Sequence, residues 1–175
     1  MAIQVSGTEV ISNARALNNI ASIDATTAAS IGAAGVGGKI LQVVSTLFNG
    51  AEQTSSTTFV ASAFNLSITP TSASSKILVM VAGGTLQTQG QYNHAFVTIY
   101  RNSTTNLFTW GAISVVDASD SSNLAMTVLD SPATTSSVNY KIYYCTAQSY
   151  YPAFLMSGYP GKLPQASITL MEIAG

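Results

Sequence analysis

From Lys39 onward the sequence is a succession of short runs rich in Val, Ile, Thr, Tyr and Phe, separated by Gly, Ser, Asn, Asp and Pro. The runs are KILQVVST, TTFVASAFNLSIT, KILVMVA, HAFVTIYR, NLFTWGAISVV, NLAMTVLD, NYKIYYCTA and ASITLMEIA. β-Branched and aromatic residues suit the pleated, half-buried surface of a sheet, and runs of this length bounded by turn residues read as strands. Phe64, Leu66 and Ile68 recur at every second position, which places them on one face. Asn49-Gly50 is a tight-turn signal. Beyond residue 39 no convincing amphipathic helix is visible, and parallel strands need helical crossovers. Some eight strands in about 135 residues therefore predict an all-β fold, an antiparallel β-sandwich that is jelly-roll-like.

One run raises a question of its own. In SITPTSASSKILVMVAGG, Ser67 to Gly84, a turn-prone segment gives way to Ile77, Leu78, Val79, Met80 and Val81 with no polar residue among them. Successive strand side chains point to opposite faces, so both faces need cover. One looks into the sandwich. The other is expected to meet a neighbouring copy, which makes these five residues the candidates for a subunit interface. Lys76, just ahead of the run, is placed to discourage misdirected edge pairing.

Residues 1–38 differ in texture. They hold no aromatic residue, are rich in Ala, Ile, Ser, Asn and Gly, and end in GAAGVGGK with Lys39. Such a segment cannot build its own core. A helical reading of NARALNNIASIDATTAASI exists, with Leu17, Ile20 and Ile23 at roughly three-residue spacing. Asn, Ser, Thr and Asp are mediocre helix formers, which favours an extended arm packed on other copies or on a partner. The expected organisation is an arm over 1–38 with a Gly-rich hinge and a head domain over 39–175.

Composition narrows the function. Charged residues make up 7% of the chain, against roughly 25% in an average soluble domain. The net charge is −1 and the six Lys and Arg are scattered, so no basic field exists for nucleic acid or an anionic membrane. No stretch approaches the ~20 apolar residues of a membrane span, and the first residues show no basic-then-apolar signal pattern. A surface kept soluble by Ser, Thr, Asn and Gln suits a protein that is assembled with its own copies or with a larger particle. The single cysteine, Cys145, rules out an intrachain disulfide and reads as a small buried hydrophobe.

The sequence gives little support to chemistry. GAAGVGGK lacks the first Gly of a phosphate loop, Ile40 stands where Ser or Thr is needed, and a strand rather than a helix follows. The only histidine is His94, so multi-histidine metal sites and a zinc quartet of the usual ligands are excluded. No Ser lies in a G-x-S-x-G context. Asp117 and Asp120 are the closest acidic pair and read as a solvated turn rather than a glycosidase pair. No enzyme and no cofactor are expected. The sequons at Asn65 and Asn102 read as chance.

The most distinctive cluster is YYCTAQSYYPAFLMSGYPGK, with Tyr143, Tyr144, Tyr150, Tyr151, Phe154 and Tyr159 close together. Tyrosine offers contact area and a polar tip at low entropic cost. The alternatives are a roof over the sandwich, contact with a neighbouring protein, or sugar binding by ring stacking. Tyr150, Tyr151, Phe154 and Tyr159 are the surface-recognition candidates, on a long loop over 148–164.

VISNARALNNIASIDATT resembles the V-I-x-N-x-R-x-L-x-N-I segment of structural proteins of tailed bacteriophages, especially marine phages and cyanophages. GKILQVVST, LSITPTSASSKILVMV, LDSPATTSSVNYKIYY and SITLMEIAG are similar to a domain common at the ends of their fibre-like and capsid-surface proteins. The Tyr-rich stretch departs from that pattern, in which Gly, Asn and Arg are commoner. The resemblance covers nearly the whole chain. It implies a non-enzymatic virion structural protein, made in the host cytoplasm and carried on the outer surface of the particle as a homotrimer. Val10, Ile11, Arg15, Leu17 and Ile20 would anchor the arm, with the major capsid protein as the expected partner. A short arm and one head suit a capsid decoration (cement) protein or a short head fibre. The alternative is a short tail fibre, or receptor-binding protein, touching host surface polysaccharide.

Overall fold

The structure, a computed structural model, describes residues 3–5, 8–11, 39–88, 93–108, 113–116, 121–156 and 165–175. The chain divides into two units, residues 1–37 and 38–175. In the first, strands β1 (Ile3–Val5) and β2 (Thr8–Ile11) pair antiparallel, with Val5 opposite Thr8 and Ile3 opposite Ile11. Val10 and Ile11 therefore lie on a strand. Arg15, Leu17 and Ile20, and the choice between helix and extended chain for their segment, lie outside the described residues.

The second unit is built from β3 (Ile40–Phe48), β4 (Ala51–Thr54), β5 (Val60–Ile68), β6 (Lys76–Thr88), β7 (His94–Arg101), β8 (Thr105–Asn106), β9 (Ile113–Val116), β10 (Ser121–Asp130), β11 (Val138–Thr146), β12 (Ala153–Met156) and β13 (Ala166–Ile173). Every pairing is antiparallel, and no helix occurs among the described residues. In the first sheet β6 pairs with β10 along one edge, and with β13 and then β12 along the other. β3 lies beyond β13, and β4 beyond β12. The second sheet runs β5-β11-β7, with β8 and β9 along the far edge of β7.

The pairings are nested. Leaving aside the short strands β4, β8 and β12, β7 pairs with β9, β6 with β10, β5 with β11 and β3 with β13. A long antiparallel ribbon has been wrapped so that successive layers fall alternately in the two sheets, which is the jelly-roll arrangement. The core between the sheets comes from alternate residues of both. Ile77, Val79, Val81, Leu124, Met126, Ile168 and Leu170 face Phe64, Val97, Ile99, Val138, Tyr140, Ile142 and Tyr144.

The eight expected runs correspond to β3, β5, β6, β7, β9, β10, β11 and β13. Two details differ. Asn49-Gly50 does turn the chain from β3 to β4, yet these strands pair with β13 and β12 rather than with each other. The stretch 148–164 is not one loop, because Ala153-Phe154-Leu155-Met156 inserts between β4 and β6 as β12. Four residues behind a proline are too short a run to separate from an apolar loop by periodicity.

β6 can change partner because of a bulge. Gly83 and Gly84 have φ of 79° and 68°, and the register with β10 slips opposite them, between Asn123 and Leu124. β13 pairs with residues up to Ala82, and β12 with residues from Thr85. A Cβ on Gly83 would lie 2.4 Å from the backbone oxygen of Gln165, just where β13 begins. Gly83→Ala meets both the left-handed backbone and that immovable oxygen, and is expected to cost about 2 kcal/mol or more. Urea unfolding at neutral pH measures it. A loss under ~0.5 kcal/mol, typical of a neutral surface change, would show that the bulge does not need glycine.

Candidate functional site

The described residues carry no group of three or more His, Cys, Asp or Glu able to hold a metal. Asp117, Asp120 and the glycines of GAAGVGGK lie outside the described residues. Lys39 is exposed at the start of the head unit, and its carbonyl accepts from Ala174 N at 2.9 Å. His94 is half-buried at the start of β7, stacked 6.1 Å from Phe96. Cys145 is buried on β11, and burial pushes its thiol pKa up. Asn65 is tied to Ala63 O and the Asn139 amide, whereas Asn102 is exposed in the turn between β7 and β8.

The tyrosine cluster is distributed among different environments. Tyr144 belongs to the core, and burial, with Glu52 adding to it, pushes its hydroxyl pKa up to about 12. Tyr143 lies on the outer face of the second sheet, its ring 4.2 Å from that of Tyr100. Phe154 is half-buried on β12, on the side opposite the core residues Ala153 and Leu155. Tyr159 lies outside the described residues.

Tyr150 is presented to solvent at 84% exposure. Its ring meets the half-buried Tyr151 edge-on at 5.0 Å. The loop that holds them is fixed from below by buried polar groups. Asn93 Nδ2 donates to Thr146 Oγ1 at 2.9 Å and to Tyr151 O at 3.1 Å. Thr146 Oγ1 donates to Tyr151 O at 2.7 Å, and Thr88 Oγ1 to Pro152 O at 3.3 Å. Loop carbonyls satisfied by buried side chains have little freedom to move, so Tyr150 sits on a fixed base. The sequence signalled the tyrosines but not Asn93, Thr88 and Thr146, whose convergence from three strand ends depends on the wrap.

The outer face of the first sheet is the second surface. Ile77, Val79 and Val81 point into the core, and Leu78 and Met80 point out. Register places Val43, Met171, Leu78 and Leu129 in one row across β3, β13, β6 and β10. Leu78 and Met171 are half-buried by their neighbours, while Val43 and Leu129, on the two outermost strands, are each 51% exposed. Ile40, Leu41 and Leu47 add further exposed apolar surface on β3.

Two buried acids flank Ile77 at one end of the first sheet, on β10 and β13. Asp130 at the end of β10 receives Arg101 Nη1 at 2.9 and 3.0 Å and the Tyr140 hydroxyl at 2.7 Å, linking one sheet to the other. Burial, reinforced by the hydrogen bond to Asp130, raises the Tyr140 pKa. Glu172 at the end of β13 is fully buried, with no cation paired to it among the described residues. It accepts from Gln42 Nε2 at 2.6 Å and from Thr71 N and Oγ1, each at 2.7 Å. Burial alone would raise its pKa, but the Gln42 amide, the Ser75 hydroxyl beside it and the two Thr71 donors outweigh that and hold it at about 2.

No family model matches the sequence, and no curated protein is similar to it. Among solved structures, it is similar to a chain of the Gx strain of infectious bursal disease virus, at 16% identity and a TM-score of 0.41 over 77% of this chain and 37% of that one. A VP2 subviral particle of the same virus gives 14% identity and a TM-score of 0.38 over 77% of this chain and 38% of that one. The present chain thus spans less than two-fifths of the length of these viral chains.

The Glu172 geometry has a pH signature. A folded pKa near 2, below the ordinary value of 4.5, stabilises the fold fully above pH 4.5 and progressively less as pH falls towards 2. Glu172→Gln places an amide donor against donors, with an expected loss of about 2 kcal/mol at pH 7. Urea unfolding from pH 7 to 2 should show a smaller acid-induced loss in the variant than in the wild type. Parallel pH curves would mean that Glu172 is not the group responsible.

Proposed function

We propose that this chain is a non-enzymatic structural component of a virus particle, a trimeric capsid decoration protein or short head fibre of a tailed phage. The observation that carries this reading is a jelly-roll head whose first sheet exposes Ile40, Leu41, Val43, Leu47 and Leu129, in a chain with 7% charged residues. Proteins that remain monomeric rarely leave such a face open. The bacteriophage assignment rests on the sequence resemblance, from VISNARALNNI through SITLMEIAG. In this reading residues 1–38 anchor the protein to the major capsid protein through Val10, Ile11, Arg15, Leu17 and Ile20. The head self-associates, with Leu78 and Met80 as the members of the KILVMV run available to a neighbour. The protein is carried on the outer surface of the particle.

A second reading is favoured by one observation, the 84% exposed Tyr150 on its fixed loop. A short tail fibre would use that ring, with Tyr151, to stack on host surface glycan.

Cryo-electron microscopy of particles separates the two. The decoration reading expects density for this chain on the shell, and density at the tail would overturn it in favour of the fibre. Deleting residues 1–38 should abolish particle attachment while leaving a folded head. A truncated chain that still binds particles would remove the anchoring role. In the fibre reading, Tyr150→Ala with Tyr151→Ala should lower adsorption to host cells by roughly tenfold or more, as loss of an aromatic hot spot does. Unchanged adsorption would count against it.

A further inference from the structure

We infer that the first sheet of one copy continues into the first sheet of the next, β3 of one lying beside β10 of its neighbour. This rests on the self-assembly part of the reading above and adds the surface and the geometry. Four of the six exposed large hydrophobic residues of the described chain, Ile40, Leu41, Val43 and Leu47, are on β3. A fifth, Leu129, is on β10. Among the described residues β3 pairs only with β13, and β10 only with β6, so each strand has one unpaired edge. A long, apolar, uncharged strand with an open edge is a template for another strand.

The occupant that fits is a second copy. β3, β13, β6 and β10 alternate in direction, so β3 and β10 run opposite ways. Placed beside β3 with the same face outward, a neighbour's β10 pairs antiparallel. The row Leu129, Leu78, Met171, Val43 would then run on across the junction, bringing Val43 against a neighbour's Leu129.

No charged residue occurs within 41–47, 77–82, 124–129 or 166–171, so the contact sets no like charges together and offers a charged partner nothing to recognise. Pairing β3 with a neighbour's β3 would leave Leu129 and the β10 edge uncovered. The head-to-tail contact covers both edges at once and closes into a ring when its rotation allows.

The test uses the full-length purified chain. Sedimentation and light scattering at about 100 μM should find an oligomer, weakened at least tenfold by Val43→Lys with Leu129→Lys, as loss of interface anchors does. Both side chains are half-exposed, so circular dichroism should show the fold retained. Val43→Cys mixed with Leu129→Cys should give disulfide-linked dimers under oxidation, and neither variant alone should. A monomeric wild type, an unchanged oligomer in the double variant, or crosslinking of Val43→Cys with itself would each overturn the arrangement. None of these readouts involves a particle, so the interface can fail while the virion reading stands, and the reverse.

Discussion

The head unit depends on β6 being paired along both edges for most of its length. It is the strand against which β10, β12 and β13 are all aligned, and its inward residues Ile77, Val79, Val81 and Leu86 are fully or almost fully buried. A strand this long would accumulate twist if it stayed regular. The bulge at glycines 83 and 84 bends it, and separates the two partners on one edge. The remainder of the first sheet follows, since β3 reaches β6 only through β13, and β4 only through β12.

Much of this was legible in the sequence because its signals are local. Alternation and β-branching mark the eight principal strands, and their number without helices requires an antiparallel sandwich. The two-sided apolarity of KILVMV was legible as well, and half of it finds its cover in the chain's own core. Which half could not be read, because one residue of register interchanges the faces. β12 was missed because it consists of four residues between a proline and a serine. The nesting of β3 with β13 joins residues more than a hundred positions apart and leaves no local trace. The same holds for the base of the Tyr150 loop, where Thr88, Asn93 and Thr146 meet only after the ribbon has wrapped. Exposure on β3 was likewise hidden, since KILQVVST reads the same on an open edge as in mid-sheet.

The buried polar groups follow one rule. With few charges available, the fold satisfies its acids mainly with neutral donors. Glu172 is held by an amide, a hydroxyl and a backbone N–H, and Asp130 accepts from a tyrosine hydroxyl as well as from Arg101. Neutral donors at hydrogen-bond distance are indifferent to ionic screening, so the contacts around Glu172 should tolerate salt that would loosen an exposed ion-pair network. Ser, Thr and Asn act here as structural ligands as well as surface solubilisers.

The nested pairing also sets an order of events. The innermost partners, β7 and β9, emerge from the ribosome close together and can meet while synthesis continues. Each outer layer waits for a later strand, and β3 stays exposed until β13 has been made. For that interval the most apolar edge strand of the unit has no partner of its own chain, and its loop-closure cost is the largest in the fold. The step that closes the β-ribbon is therefore the step most open to capture by a neighbouring nascent chain, and slow synthesis or crowding of polysomes would fall most heavily on β3.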